Sequence, residues 1–269
     1  MKLPILATDK KLSGEKNLPA QFDEKYRPDL IARAVHALQS AARQVYGSST
    51  EAGFRHSSSV SKRRRDWRGS YGFGISRVNR KIHSHRGTRF GWVGAFSPQT
   101  RGGFRAHPPK VYKDWEQKIN QKENAKAIRS AIAATINKIL VEKRGHRLPA
   151  EYPFIVASSF EQLSKTKEVE KAFMDLGFTA ELERSAQKKV RAGIGKMRGR
   201  RYRRRKGILL VVSENCPVVK AAQNIPGTDV VEVRALNAEV LAPGAHPGRV
   251  TLWTEKAVET LDKQNLFNY

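Results

Sequence analysis

The chain has 269 residues, 51 Lys/Arg against 25 Asp/Glu, a formal charge of +26 and a single cysteine. One cysteine excludes an intrachain disulfide and a paired-cysteine zinc site. No run approaches the roughly 18 apolar residues of a membrane span, and residues 3–7 are too short for a secretory signal core and contain Pro4, so the expectation is a soluble intracellular protein whose partner is a polyanion.

Residues 3–7 predict a short strand, followed by a polar turn around Gly14-Glu15-Lys16-Asn17. Arg27-Pro28-Asp29 opens a helix, because proline is tolerated in the first turn and an acid is favourable at the N-terminus. Leu30, Ile31, Ala34, Val35, Leu38, Ala41 and Val45 recur at helical spacing, and Gly47 is expected to end it.

Residues 47–107 break the pattern. They contain no leucine, ten glycines and eight aromatic residues, so an apolar periodic face is not available. Two acids stand against thirteen cations: Arg55, Lys62, Arg63, Arg64, Arg65, Arg68, Arg77, Arg80, Lys81, Arg86, Arg89, Arg101 and Arg105. Rings interleaved with cations and glycines suit stacking on bases and close approach to a phosphate backbone. With those cations, Trp67, Tyr71, Trp92 and His83 are the candidate RNA contacts. Fixing backbone costs roughly 1–2 kcal/mol per residue, so a segment of this length without a core is expected to be an extended, non-globular loop ordered by a large anionic partner.

Pro108-Pro109 sets an extended exit. A second amphipathic helix is predicted over 122–143, with Gly145 and Pro149 as its stop. The period then changes. Residues 154–157, 208–212, 230–233 and 250–253 read as short apolar strands, and helices are expected over 167–176 with Thr166 as N-cap, 217–223, 237–241 and 255–263. Alternating strands and helices, with strands apolar on both faces, predict a three-layer α/β sandwich with a mainly parallel sheet. Its body would comprise 1–46 and 108–269.

A second basic run, 188–206, lies within that body. Its eleven cations, Lys188, Lys189, Arg191, Lys196, Arg198, Arg200, Arg201, Arg203, Arg204, Arg205 and Lys206, have no acid among them, and Tyr202 adds a ring. Guanidinium forks match phosphate oxygens, so the run reads as an RNA-binding loop. Outside the two basic stretches the chain has 27 basic and 23 acidic residues. The charge is therefore concentrated where a polyanion would be met, on an otherwise nearly neutral body.

Other motifs fall short. Gly193-Ile194-Gly195-Lys196 lacks the glycine, the preceding strand and the hydroxyl residue that nucleotide loops need. His83 and His85 lack acidic or thiol partners for a metal, and neither metal nor cofactor is expected. The competing reading is an RNA-processing enzyme with an α/β core and a basic guiding arm. Its candidates at the strand ends, Ser158, Ser159, Glu214, Asn215 and Cys216, have no evident acid/base partner.

Several ordered segments carry a resemblance: Tyr26-Arg27-Pro28-Asp29-Leu30-Ile31, Ser70-Tyr71-Gly72-Phe73-Gly74, Arg105-Ala106-His107-Pro108-Pro109-Lys110, Arg144-Gly145-His146, Arg198-Gly199-Arg200-Arg201-Tyr202-Arg203-Arg204 and Pro247-Gly248-Arg249-Val250-Thr251. Over essentially its whole length the chain resembles the universal family of the fourth large-subunit ribosomal protein, closest to its archaeal type. The resemblance implies a structural, non-enzymatic component of the cytoplasmic ribosome. Its partners would be large-subunit rRNA, neighbouring large-subunit proteins and the nascent polypeptide. It also implies that the long loop penetrates rRNA and helps to line the peptide exit tunnel, with Arg68, Gly69, Ser70, Tyr71, Gly72 and Phe73 as its tip. Phe73 and Ile75 stand where the family usually has smaller or basic residues.

Overall fold

The computed structural model describes residues 1–268, in two compact units: residues 1–42 with 116–268, and residues 43–115. In chain order, β1 (Lys2–Leu6) and β2 (Leu12–Asn17) precede α1 (Pro28–Ala41). Strands β3 (Arg80–Arg86) and β4 (Arg89–Gly94) belong to the second unit. The first unit resumes with α2 (Gln121–Ile136), α3 (Lys138–Lys143), β5 (Ile155–Val156), α4 (Thr166–Asp175) and α5 (Thr179–Ala186). Then follow β6 (Lys188–Val190), β7 (Tyr202–Arg204), β8 (Leu209–Val212), α6 (Pro217–Ala222), β9 (Asp229–Glu232), α7 (Ala238–Leu241), β10 (Thr251–Thr254) and α8 (Glu255–Lys263).

The first unit is a mixed α/β structure around a six-stranded sheet in the order β2-β1-β5-β10-β8-β9. All neighbours are parallel except β1 and β2. Side chains alternate between faces along a strand, so adjacent residues of β8 enter different apolar clusters. Leu209 and Val211 join Ile155 and Trp253 in one, with Ile31 and Val35 of α1, Ile128 and Ile132 of α2, and Val258 and Leu261 of α8. Leu210 and Val212 join Val156 and Leu252 in the other, with Val169 and Phe173 of α4 and Val218 of α6. Burial on both sides explains why these strands read as unbroken apolar runs.

Several boundaries differ from the sequence expectation. The polar stretch around Gly14 is an edge strand, β2, because it pairs with β1 and Lys16 Nζ reaches Glu259 Oε1 at 2.6 Å; tertiary pairing overrides weak strand propensity. Helix α1 stops at Ala41 rather than Gly47, leaving Val45 exposed. The helix expected over 122–143 is two, broken where Asn137 turns extended and its side chain accepts a hydrogen bond from Leu140 N at 3.3 Å. Thr166 is the first residue of α4 and Lys165 its N-cap, without a side-chain bond. Helix α5 was not expected.

Within 47–107, expected to lack regular structure, β3 and β4 form an antiparallel hairpin with Arg86 opposite Arg89. Gly87, at φ +57°, starts the two-residue turn that closes it. Ile82 faces Trp92 across the ladder, which gives the hairpin one partly apolar face.

Gly248 tests the fit of the first unit. It sits at φ +85°, and a Cβ there would lie 2.8 Å from the Leu140 carbonyl oxygen. Gly248→Ala combines backbone strain with a clash against main chain, and its cost should be at least about 2 kcal/mol in urea unfolding.

Candidate nucleic-acid interface

In the second unit nearly all the candidate cations are exposed; only Arg80 is half-buried. Arg55 meets Glu51 at 3.4 Å, both side chains remaining in solvent. Asp66, the other acid of residues 47–107, accepts a hydrogen bond from the Ser61 hydroxyl. Lys62, Arg63, Arg64, Arg65, Lys81, Arg86, Arg89, Arg101 and Arg105 present their charge outward, as does His83. Of the six tip residues, Gly69 and Ser70 are buried, Tyr71 is half-buried, and Arg68, Gly72 and Phe73 are exposed.

The rings of residues 47–107 also contact one another. Phe54, Phe96 and Phe104 pack together at 4.7–5.4 Å between centroids, with His56 against Phe96. Trp67, Phe90 and Trp92 form a second group at 5.2 and 5.7 Å, joined by His85. Six of the eight rings therefore stack on one another, which offset and edge-on geometry favours. Arginines ride on three rings: Arg68 lies 4.0 Å over Trp67, Arg77 4.4 Å over Tyr71 and Arg80 5.3 Å over Trp92. Such cation–π seats hold guanidinium groups in place without neutralising them. Phe73, 65 % exposed, is the most open of the eight rings in 47–107.

The run 188–206 folds as a hairpin. β6 pairs antiparallel with β7, setting Lys188 opposite Arg204 and Lys189 opposite Arg203, with Val190 opposite Tyr202. Like charges opposite one another repel, and every residue of both strands is exposed. Lys188 Nζ lies 4.7 Å over the Tyr202 ring, and Arg191 Nε donates to the Arg200 carbonyl at 3.1 Å. Lys196, Arg198, Arg200, Arg201 and Arg205 are exposed around the connecting turn and the exit strand. Lys206 turns back to Asp229, at 2.8 Å.

Beside this hairpin lies a groove of about 1390 Å³ lined by Lys189, Arg191, Arg203, Arg204, Arg205 and Lys206 together with Lys143, Arg144, Gly145, His146, Arg184, Pro243, Gly244, His246 and Pro247. No acidic residue lines it. Below it the body supplies counter-charges. Arg184 donates to both oxygens of buried Glu181, at 2.7 and 2.6 Å. Arg249, fully buried, donates to Asp229 Oδ2 at 2.6 Å and to the carbonyls of Gly207 and Val240 at 3.0 Å. Burial pushes the Glu181 carboxyl up, but hydrogen bonds from Arg184, His146 and the Arg147 amide outweigh it and hold the pKa at about 2. Asp229 is likewise held down against its burial by Arg249 and Lys206. Burial lowers the pKa of His146 despite Glu181. Its Nδ1 is 2.7 Å from Glu181 Oε1 and 3.0 Å from Arg184 Nη2. Since the carboxylate only accepts, Nδ1–H donates to Glu181 and the arginine is simply a close neighbour.

The carboxyl ends of the parallel strands, where an α/β enzyme would place its chemistry, are closed. Glu161 Oε1 accepts from Thr254 Oγ1 at 2.6 Å and from Ser213 N at 3.0 Å, while Oε2 accepts from Ser213 Oγ at 3.0 Å. Burial, reinforced by Glu161, pushes the Cys216 thiol up, away from the thiolate that a nucleophile needs. Among the described residues no cluster of His, Cys, Asp or Glu is placed to hold a metal, and no helix is long and apolar enough to cross a membrane.

Fold and surface define a class: an α/β protein with two arginine-rich hairpins suited to a polyphosphate backbone. The chain belongs to the ribosomal protein L4/L1 family, whose model matches residues 16–264. It is 50% identical over 268 residues to the large ribosomal subunit protein uL4 of Nanoarchaeum equitans, covering 99% of this chain and 100% of the relative. It is 45% identical to the uL4 proteins of Archaeoglobus fulgidus, over 97% of this chain and 98% of that one, and of Methanocaldococcus jannaschii, over 93% and 94%. The family is one of ribosomal structural proteins, not enzymes, and the catalytic alternative is set aside with it.

Charge density did not single out Arg144, His146, Glu181, Arg184, Asp229 and Arg249, because the stretches around them mix charges of both signs or are mostly apolar. Arg144, His146 and Arg249 fall in segments that carry the family resemblance, and Glu181 and Arg184 are three apart on one helix.

The lowered values of His146, Glu181 and Asp229 favour the folded state at higher pH. His146 and Glu181 bind protons more readily unfolded, with ordinary values of 6.5 and 4.5. Stability should be full above about pH 6.5, decline as pH falls through the unfolded histidine and carboxylate ranges, and keep falling towards pH 2. Urea midpoints measured across that window check this: Glu181→Gln should flatten the acid limb below pH 4.5 and cost about 3–5 kcal/mol at neutral pH.

Proposed function

We propose that the chain is a structural constituent of the large ribosomal subunit in the cytoplasm. It binds large-subunit rRNA through residues 47–107 and through the hairpin 188–206, beside neighbouring ribosomal proteins, and its residues 68–73 help to line the path of the nascent polypeptide. The observation that carries this is the separation of charge. Two hairpin-bearing basic stretches hold 24 of the 51 cations and two of the 25 acids, and nearly all of their cations lie exposed, with Arg55 on Glu51 and Lys206 on Asp229 as the ion pairs described. Family membership supplies the ribosomal setting. The two apolar clusters, each fed by alternate residues of β8 and covered by its own helices, support the three-layer reading of the body. Such a body anchors the basic stretches, and the RNA completes the ordering of residues 47–107.

Affinity for in vitro transcribed large-subunit rRNA should fall steeply with salt, since each phosphate neutralised releases counterions. Changing Arg63, Arg64 and Arg65 together to Gln should reduce the salt slope by about 2–3; an unchanged slope removes these residues from the interface. In hydrogen exchange, amides of 47–107 outside the β3–β4 ladder should exchange rapidly in the free protein and become protected on the rRNA. Protection already complete in the free protein would refute coupled ordering.

A further inference from the structure

Three buried or half-buried arginines stand close enough to one another for charge repulsion: Arg184 and Arg249 both act on Arg144. Two of the three carry their own carboxylate, Arg184 on Glu181 and Arg249 on Asp229. Arg144 has none. Its Nη2 donates to the Pro243 carbonyl at 2.8 Å, which fixes the plane of the guanidinium. Its Nη1 is buried and has no hydrogen-bond partner among the described residues. Burial, with the two neighbouring arginines, holds its pKa down to about 10, so the site is short of negative charge.

Arg144 and His146 line the basic groove together with Arg203, Arg204 and Arg205 of the exposed basic run. Buried charges are stable when paired and hydrogen-bonded, and a guanidinium with one edge pinned presents its free donors in a fixed orientation. We propose that Arg144 is a phosphate clamp in this groove, which it lines: its Nη1 takes a non-bridging oxygen of an RNA phosphodiester as the atoms that cover it move aside. That phosphate serves Arg144 as Glu181 serves Arg184 and Asp229 serves Arg249. The hairpin cations then supply the surrounding, less oriented attraction, and Arg144 sets the register. This rests on the reading of the chain as an rRNA-binding protein and adds to it a single anchoring residue outside both basic runs.

The test uses the full-length protein and in vitro transcribed large-subunit rRNA, titrated across a salt series, with Arg144→Gln, Arg144→Lys and, as a groove-wall control, Lys189→Gln. Arg144→Gln should weaken binding about tenfold or more and lower the salt slope by about one. Arg144→Lys keeps the charge but not the planar fork, so it should lose affinity with the slope retained. Lys189→Gln should lower the slope with a smaller loss of affinity. Unfolding midpoints in rising inorganic phosphate give a second reading: wild type should gain more than Arg144→Gln. If Arg144→Gln fails to fold, Arg144→Lys decides, and wild-type affinity in that variant overturns the clamp. Equal affinity and slope for wild type and Arg144→Gln also overturn it, while leaving rRNA binding intact. Absence of rRNA binding by the wild type would instead overturn the underlying function.

Discussion

Positive charge that the chain cannot neutralise from within is the constraint on which the rest of this molecule turns. Eleven cations in nineteen consecutive residues, folded so that Lys188 faces Arg204 and Lys189 faces Arg203, repel one another in the free protein. The body handles the problem in the opposite way. Its buried Arg184 and Arg249 are each given a carboxylate, and Glu181 is held ionised against its own burial by three hydrogen-bond donors. The same side chain is thus used in two regimes. In one it is internally compensated and fixes the fold; in the other it is left open and awaits a partner.

The body earns its stability conventionally. A mainly parallel sheet with apolar residues on alternate faces needs cover on both, and α1, α2 and α8 meet one cluster while α4 and α6 meet the other. Glu161, bonded by Ser213 and Thr254, closes the strand ends where this architecture often holds a ligand. What remains available for function is the basic surface, consistent with a family of structural ribosomal proteins.

Legibility in the sequence followed the strength of the local signal. The parallel strands announced themselves as apolar runs, and α8 was placed at 255–263 because its apolar residues keep helical spacing. The charge-bearing stretches were equally plain. Helix α5 was missed because it is short, and β2 because its residues favour a turn and only pairing with β1 makes them a strand. The β3–β4 hairpin had a signal, the Gly87-Thr88 pair between two ring-bearing runs, but the surrounding arginines hid it. The buried ion pairs were beyond local reading altogether. Glu181 is 35 residues from His146, and Asp229 is 20 from Arg249, so only the folded chain brings them together.

The pairing of the rings within 47–107 has a consequence for the protein on its own. Eight freely presented aromatic faces among thirteen cations would adhere to almost any single-stranded nucleic acid, because stacking is tolerant of sequence. With Phe54, Phe96 and Phe104 occupied by one another, and Trp67, Phe90 and Trp92 likewise, that indiscriminate stickiness is muted.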